Sequence, residues 1–135
     1  MTVTSVVTIN PVRRTRFGCI TGSGKNKVTE LRNGEITTYY IDPEEYGIRK
    51  AKISDLVGGM PQENAVTLKL LLDGEKNTKR DILLLNAAAG LYVAERVKNI
   101  GEGIGLAAET IDSGRASLKL ERLIEISQSL GKSGS

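Results

Sequence analysis

The 135-residue sequence contains no histidine, no tryptophan and a single cysteine, Cys19. Without histidine it lacks both the commonest general base and the commonest zinc ligand. One cysteine cannot close an internal disulfide, and no imidazole is present to activate it, so Cys19 is expected to be a buried or incidental thiol. There is no basic-then-apolar signal segment at the start, which makes a reducing, cytoplasmic location the expectation. The longest uncharged helical run, Ile82 to Ala94, covers thirteen residues. A bilayer crossing takes about 20, so this run is expected to be a buried helix.

Negative charge is also missing from one place. Met1 to Thr29 holds no acid and five bases, Arg13, Arg14, Arg16, Lys25 and Lys27. Subtracting these from the whole leaves 14 bases against 16 acids, a net of −2 for the rest of the chain. A nucleic-acid role would therefore fall on the basic leader alone, and its one aromatic, Phe17, gives little to stack bases on. Nucleic acid is not an expected partner, and neither is a membrane.

What remains is ordinary globular composition, 39% hydrophobic and 26% charged, enough for one domain. The alternation in "TVTSVVTI" and the short run "RFGCIT" suggest strands, broken at Asn10 and Pro11. "KVTELRNGEITTYYI" reads as a hairpin turning at Asn33-Gly34, a dipeptide that tolerates positive φ angles. "DPEEYG" reads as a turn or short helical start, and "LVGGMP" as a second break. Four helices are predicted after them: one from Pro61 to a stop at Gly74, one over Thr78 to Val97, one over Asn99 to Asp112, and a last one after Ser113-Gly114. Asn99 and Glu102 have capping-box spacing. Ile104, Ala107, Ala108 and Ile111 share one stripe, as do Ala116, Leu120, Leu123 and Ser127. A helix apolar all round, like Ile82 to Ala94, wants partners on every side, and so few strands leave it short of cover. The expected consequence is exposed apolar surface and self-association.

No complete active site is visible. "TGSGKN", Thr21 to Asn26, resembles the end of a phosphate-binding loop but has Cys19 where the first glycine belongs and Asn26 where Ser or Thr belongs, so it reads as a loop leading into the hairpin. "GEGIG", Gly101 to Gly105, lacks dinucleotide-binding spacing, and its glycines are expected to permit close packing. Glu44, Glu45, Glu63 and Asp112 are explained by turns and helix starts. Asn86 and Gly90 share a helix face, which suggests a buried amide bonded to neighbouring backbone, with Gly90 allowing close approach.

Four stretches in order, "KVTELRNGEITTYYIDPEEYGI", "PQENAVTLKLLLDGE", "RDILLLNAAAGLYVAE" and "EGIGLAAETIDSGRASLKLERL", resemble the C-terminal part of anthranilate phosphoribosyltransferase over about residues 25–130. The resemblance implies an α/β fold: an incomplete C-terminal portion of the phosphoribosyltransferase α/β domain, with a β-hairpin plus one or two further strands followed by four helices. Residues 1–24 would be a divergent basic leader with strands of its own, and 131–135 a frayed polar tail. The family moves the phosphoribosyl group of phosphoribosyl pyrophosphate onto the amine of anthranilate in tryptophan biosynthesis, with magnesium, and is over twice this length. Its glycine-rich pyrophosphate loop precedes the matching region. Its magnesium-holding acidic pair corresponds to "FGCITGSGKNK", which has no acid. No catalytic, substrate-binding or metal residue is therefore assigned, and none of the family's magnesium is expected on this chain. The expectation is a C-terminal segment inactive alone, from a truncated, split or frameshifted gene. The alternatives are a non-enzymatic module binding nucleic acid through its leader, or a subunit completed by a separate partner chain.

Overall fold

The computed structural model describes residues 5–9 and 20–132. Three strands, β1 (Ser5–Ile9), β2 (Asn26–Arg32) and β3 (Glu35–Ile41), precede a 3-10 turn over Pro43–Tyr46 and five helices, α1 (Ile53–Leu56), α2 (Pro61–Leu72), α3 (Thr78–Val93), α4 (Ile100–Asp112) and α5 (Arg115–Lys132). The chain divides into two compact units. One contains the strands, α1, α3 and the first part of α4, and the other contains α2, the end of α4 and α5.

The first unit is built on an antiparallel sheet in the order β1-β2-β3. Asn33 and Gly34 take φ of 52° and 84°, the pair of positive values that the Asn-Gly hairpin predicts. Along β2, Asn26, Val28 and Glu30 point inward and are buried, while Lys27, Thr29 and Leu31 alternate outward. Val28 and Ile41 join Ile20, Ile48, Leu85, Ala88 and Ile100 in one buried cluster, with Tyr39, Tyr46, Tyr92 and Ile104 around it. The strand expected at "TVTSVVTI" is present as β1. Most of the one expected at "RFGCIT" lies outside the described residues, and Ile20 and Thr21 are not in a strand.

Helix α3 buries Leu84, Leu85 and Ala88, while Ile82, Leu83, Leu91 and Val93 of the same apolar run are half-buried, so it is covered on one face and not on every side as its sequence suggests. It stops at Val93 rather than running on to Val97. Glu95 takes φ of 55°, and the Glu95 and Arg96 amides donate to the carbonyls of Tyr92 and Leu91 at 3.0 and 2.9 Å. That is a Schellman stop with Glu rather than Gly in the left-handed position, so no residue-type signal announces it. The helix α1 was not expected; its single turn closes with the Asp55 amide on the Lys52 carbonyl at 3.0 Å. Gly103 of α4 sits so close to α3 that a Cβ there would come within 2.8–2.9 Å of the Cβ, Cα and carbonyl oxygen of Ala88. Gly90 corrects the expectation of close approach: it is exposed, and a Cβ would meet nothing within 4 Å.

In the second unit, Pro61 opens α2 and the Met60 amide donates to the Glu63 carboxylate at 2.8 Å. Gly74, at φ 96°, ends it. Leu71 and Ile111 are buried, yet Val66 and Leu70 of α2 and Leu118, Leu123, Ile126 and Leu130 of α5 are exposed. Exposed apolar surface was expected, but because of α3; the helices that carry most of it are α2 and α5. On the predicted α5 stripe, Ala116 and Leu120 are half-buried and Leu123 is 63% exposed.

The two glycines yield opposite expectations. Gly103→Ala forces α3 and α4 apart and should cost about 1–3 kcal/mol in unfolding by denaturant, as overpacking does. Gly90→Ala, with free space and helical backbone, should instead raise stability by about 0.5–1 kcal/mol.

Candidate functional site

Several polar side chains in the interior of the first unit are held by specific partners. Asn86 of α3 works as a backbone mimic: its Oδ1 accepts from the Ile20 amide at 2.9 Å, and its Nδ2 donates to the Ile20 and Ile82 carbonyls at 2.8 and 2.9 Å. The expected bonding of this amide to neighbouring backbone is borne out, with Asn86 half-buried rather than buried. Asn26 does the same for the Thr21–Asn26 loop, accepting from the Thr21 amide at 2.8 Å and donating to the carbonyls of Thr21 and Gly24 at 2.9 Å. The Gly22 carbonyl accepts from the Ala51 amide at 2.9 Å, and a Cβ on Gly22 would overlap the Ile82 side chain. The loop is a brace between sheet and helix; its Thr21 amide is turned inward to Asn26, unlike the amides of a phosphate cradle.

A second polar cluster was not foreseen. Glu30, 6% exposed on the inner face of β2, accepts from the Tyr39 hydroxyl of β3 at 3.2 Å and from the Tyr92 hydroxyl of α3 at 2.8 Å. Arg32 donates from Nη1 to the Tyr92 oxygen at 3.0 Å, and its guanidinium lies 5.7 Å from the centre of that ring. Burial, reinforced by the charge of Glu30 and the bond to it, pushes the Tyr39 hydroxyl well above the ordinary tyrosine range. Tyr92 is raised by burial and by Glu30, with Arg32 opposing. The two-residue period of β2, which turns Glu30 to the same side as Asn26 and Val28, was the available signal.

Beside this cluster, Arg32, Tyr92, Glu95, Arg96, Val97, Lys98 and Glu102 line a cavity of about 490 Å³. The loop from Glu95 to Asn99 runs directly into α4. Asn99 caps that helix, accepting from the Glu102 amide at 2.9 Å, as its spacing predicts. The Glu102 carboxylate reaches one residue further back than expected, to the Lys98 amide at 2.9 Å.

The other singled-out carboxylates have local roles. Glu44 and Glu45 lie in the first turn of the 3-10 segment and Glu63 in that of α2. Asp112 instead closes α4, just before the Ser113-Gly114 turn. Cys19 lies outside the described residues. Among the described residues no three of Cys, Asp and Glu stand together in a group able to hold a metal ion.

This three-stranded sheet followed by helices is a piece of α/β architecture, and it matches known proteins over most of its length. The family model described as "Glycosyl transferase family, a/b domain" matches residues 18–117. The anthranilate phosphoribosyltransferase of Acetivibrio thermocellus is 50% identical over 110 residues, covering 82% of this chain and 32% of that protein. Among solved structures, the anthranilate phosphoribosyltransferase of Thermus thermophilus superposes with a TM-score of 0.74 at 35% identity, over 88% of this chain and 34% of that one. The Saccharomyces cerevisiae enzyme does so at 26% identity, with a TM-score of 0.82 in its complex with 4-fluoroanthranilate, over 93% of this chain and 36% of that one. With PRPP and Mg bound, the yeast enzyme gives a TM-score of 0.79, over 92% of this chain and 35% of that one. The chain belongs to the glycosyl transferase family, as a stretch of its a/b domain. It spans about a third of the length of the anthranilate phosphoribosyltransferases it matches.

The tyrosine cluster predicts an alkaline weakness. Tyr39 is neutral when protonated, and its folded pKa lies above the ordinary value of 10.0. The folded state therefore holds this proton more tightly than the unfolded chain, and its stabilising effect is complete below pH 10 and lost as the pH rises beyond it. Denaturant unfolding at pH 9 to 12 should show stability falling with pH, and Tyr39→Phe should make that fall shallower.

Proposed function

We propose that this chain is the C-terminal segment of the α/β domain of an anthranilate phosphoribosyltransferase, an enzyme that joins the phosphoribosyl group of phosphoribosyl pyrophosphate to anthranilate in tryptophan biosynthesis. The observation that carries the reading is 50% identity sustained over 110 residues. The TM-scores of 0.74 to 0.82 support the same reading in three dimensions. The relatives named are all enzymes of this one kind, which favours an enzyme segment over a nucleic-acid module.

In this reading the segment is scaffold. It contributes the sheet, the buried α3 and the two amide braces, and none of its residues is assigned to catalysis, substrate or metal. Phosphoribosyl pyrophosphate, anthranilate and magnesium would be held by groups outside residues 20–132, whether on a partner chain or elsewhere. The exposed leucines and isoleucines of α2 and α5 suit covering by such a partner or by self-association. No described helix is long and apolar enough to cross a membrane; a cytoplasmic location is part of the proposal.

A chimera tests it. Residues 26–130 would replace the equivalent stretch of the Acetivibrio thermocellus enzyme. If the segment is a faithful part of that domain, kcat/KM should stay within about tenfold of the parent, a barrier change of about 1.4 kcal/mol. A chimera that folds cooperatively but shows no turnover would refute the reading. The 135-residue chain by itself, with both substrates and magnesium, should form no phosphoribosylanthranilate; turnover by purified chain would refute the assignment of a purely structural role.

A further inference from the structure

The cavity at the hairpin end of the sheet has a charge arrangement that scaffolding does not require. Three cations line it, Arg32, Arg96 and Lys98, together with two carboxylates, Glu95 and Glu102. The ion pairs of Lys25 with Asp42, Lys50 with Glu44 and Arg115 with Glu109 involve none of the three cations. Arg32 is also oriented. Its Nη1 donates to the Tyr92 oxygen, and Tyr92 in turn donates to the buried Glu30. A guanidinium has five donors. Anchoring this one through a single nitrogen leaves the rest of the fork for a ligand, with little rotamer freedom left to lose. Arg96 and Lys98 project from backbone that is itself pinned, the Arg96 amide on the Leu91 carbonyl and the Lys98 amide on Glu102.

The geometry points to a binding site for a small phosphate monoester that also carries hydroxyl groups, such as a polyol or sugar phosphate. Three cations against two carboxylates leave a net charge of +1, which suits one phosphate group and disfavours a polyanion such as nucleic acid. Guanidinium and ammonium groups take the phosphate oxygens in charge-assisted bonds. The carboxylates of Glu95 and Glu102 are acceptors only and would take hydroxyl donors from the same ligand. The volume, about 490 Å³, falls in the ordinary range for small-molecule sites. The inference stands on this unit alone and does not depend on the enzyme reading.

Amide shifts of the full 135-residue chain, followed during titration with glycerol 3-phosphate, test it, with inorganic phosphate and glycerol as separate arms. Saturable changes should group at Arg32, Tyr92, Glu95 to Lys98 and Glu102. Binding should be several-fold tighter than for inorganic phosphate and absent for glycerol. The variant Arg96→Gln with Lys98→Gln alters two exposed side chains and should keep the fold, while weakening binding by about tenfold or more through loss of two charged contacts. Three results would each overturn the proposal: shifts that do not saturate or that spread over the surface lysines, equal affinity for inorganic phosphate, or unchanged affinity in the double variant.

Discussion

The seating of α3 against the hairpin is the constraint on which the first unit depends. Leu85 and Val28 are completely buried where helix and sheet meet, each such burial being worth roughly 1.5–3 kcal/mol. That contact is non-directional and would by itself allow the helix to slide or turn. The polar groups remove the freedom. Asn86 can meet both the amide and the carbonyl of Ile20 only at one height along the helix. Tyr92, six residues on, can reach Glu30 only at one rotation. Because an unmet buried polar group costs far more than a met one gains, these bonds select the arrangement more than they strengthen it.

Helices α2 and α5 show the same requirement unmet. The sequence of α5 is amphipathic, as a domain needs, yet Leu118, Leu123, Ile126 and Leu130 all face solvent, as do Val66 and Leu70 of α2. Clusters of exposed aliphatic side chains on a small chain mark surface that expects a partner. In the anthranilate phosphoribosyltransferase reading, the other two thirds of the protein are available to provide it. Helix α3 is better covered than these two, with its large apolar side chains buried or half-buried.

Features governed by local rules were legible in the sequence. Asn33-Gly34 announced its turn, Pro61 and Gly74 bracketed α2, and the Asn86 amide was foreseen with the right class of partner. What could not be read depended on long-range choices. Glu95 enters a left-handed conformation that its residue type does not favour, so α3 ended early. Gly90 and Gly103 look alike in the sequence, but only Gly103 lies where another backbone passes. Glu30 looked like one more charge on a strand, and its burial became meaningful only once Tyr39 and Tyr92 were brought to it. The cavity lined by Arg32 and Lys98 draws on residues far apart in the chain, so no spacing motif could have indicated it.

Tyr92 links the interior to that cavity. A carboxylate at the depth of Glu30 needs hydrogen-bond donors or a cation, and burying Arg32 beside it would have meant desolvating two charges. A phenol avoids this, because one hydroxyl can donate inward to the carboxylate while accepting outward from the guanidinium. The charge of Arg32 stays at the cavity wall, and Glu30 stabilises it through the polarised hydroxyl between them. The same chain of bonds therefore serves two ends. It satisfies an acid that the sheet has turned inward, and it fixes a cation at the rim of a charged concavity of this unit.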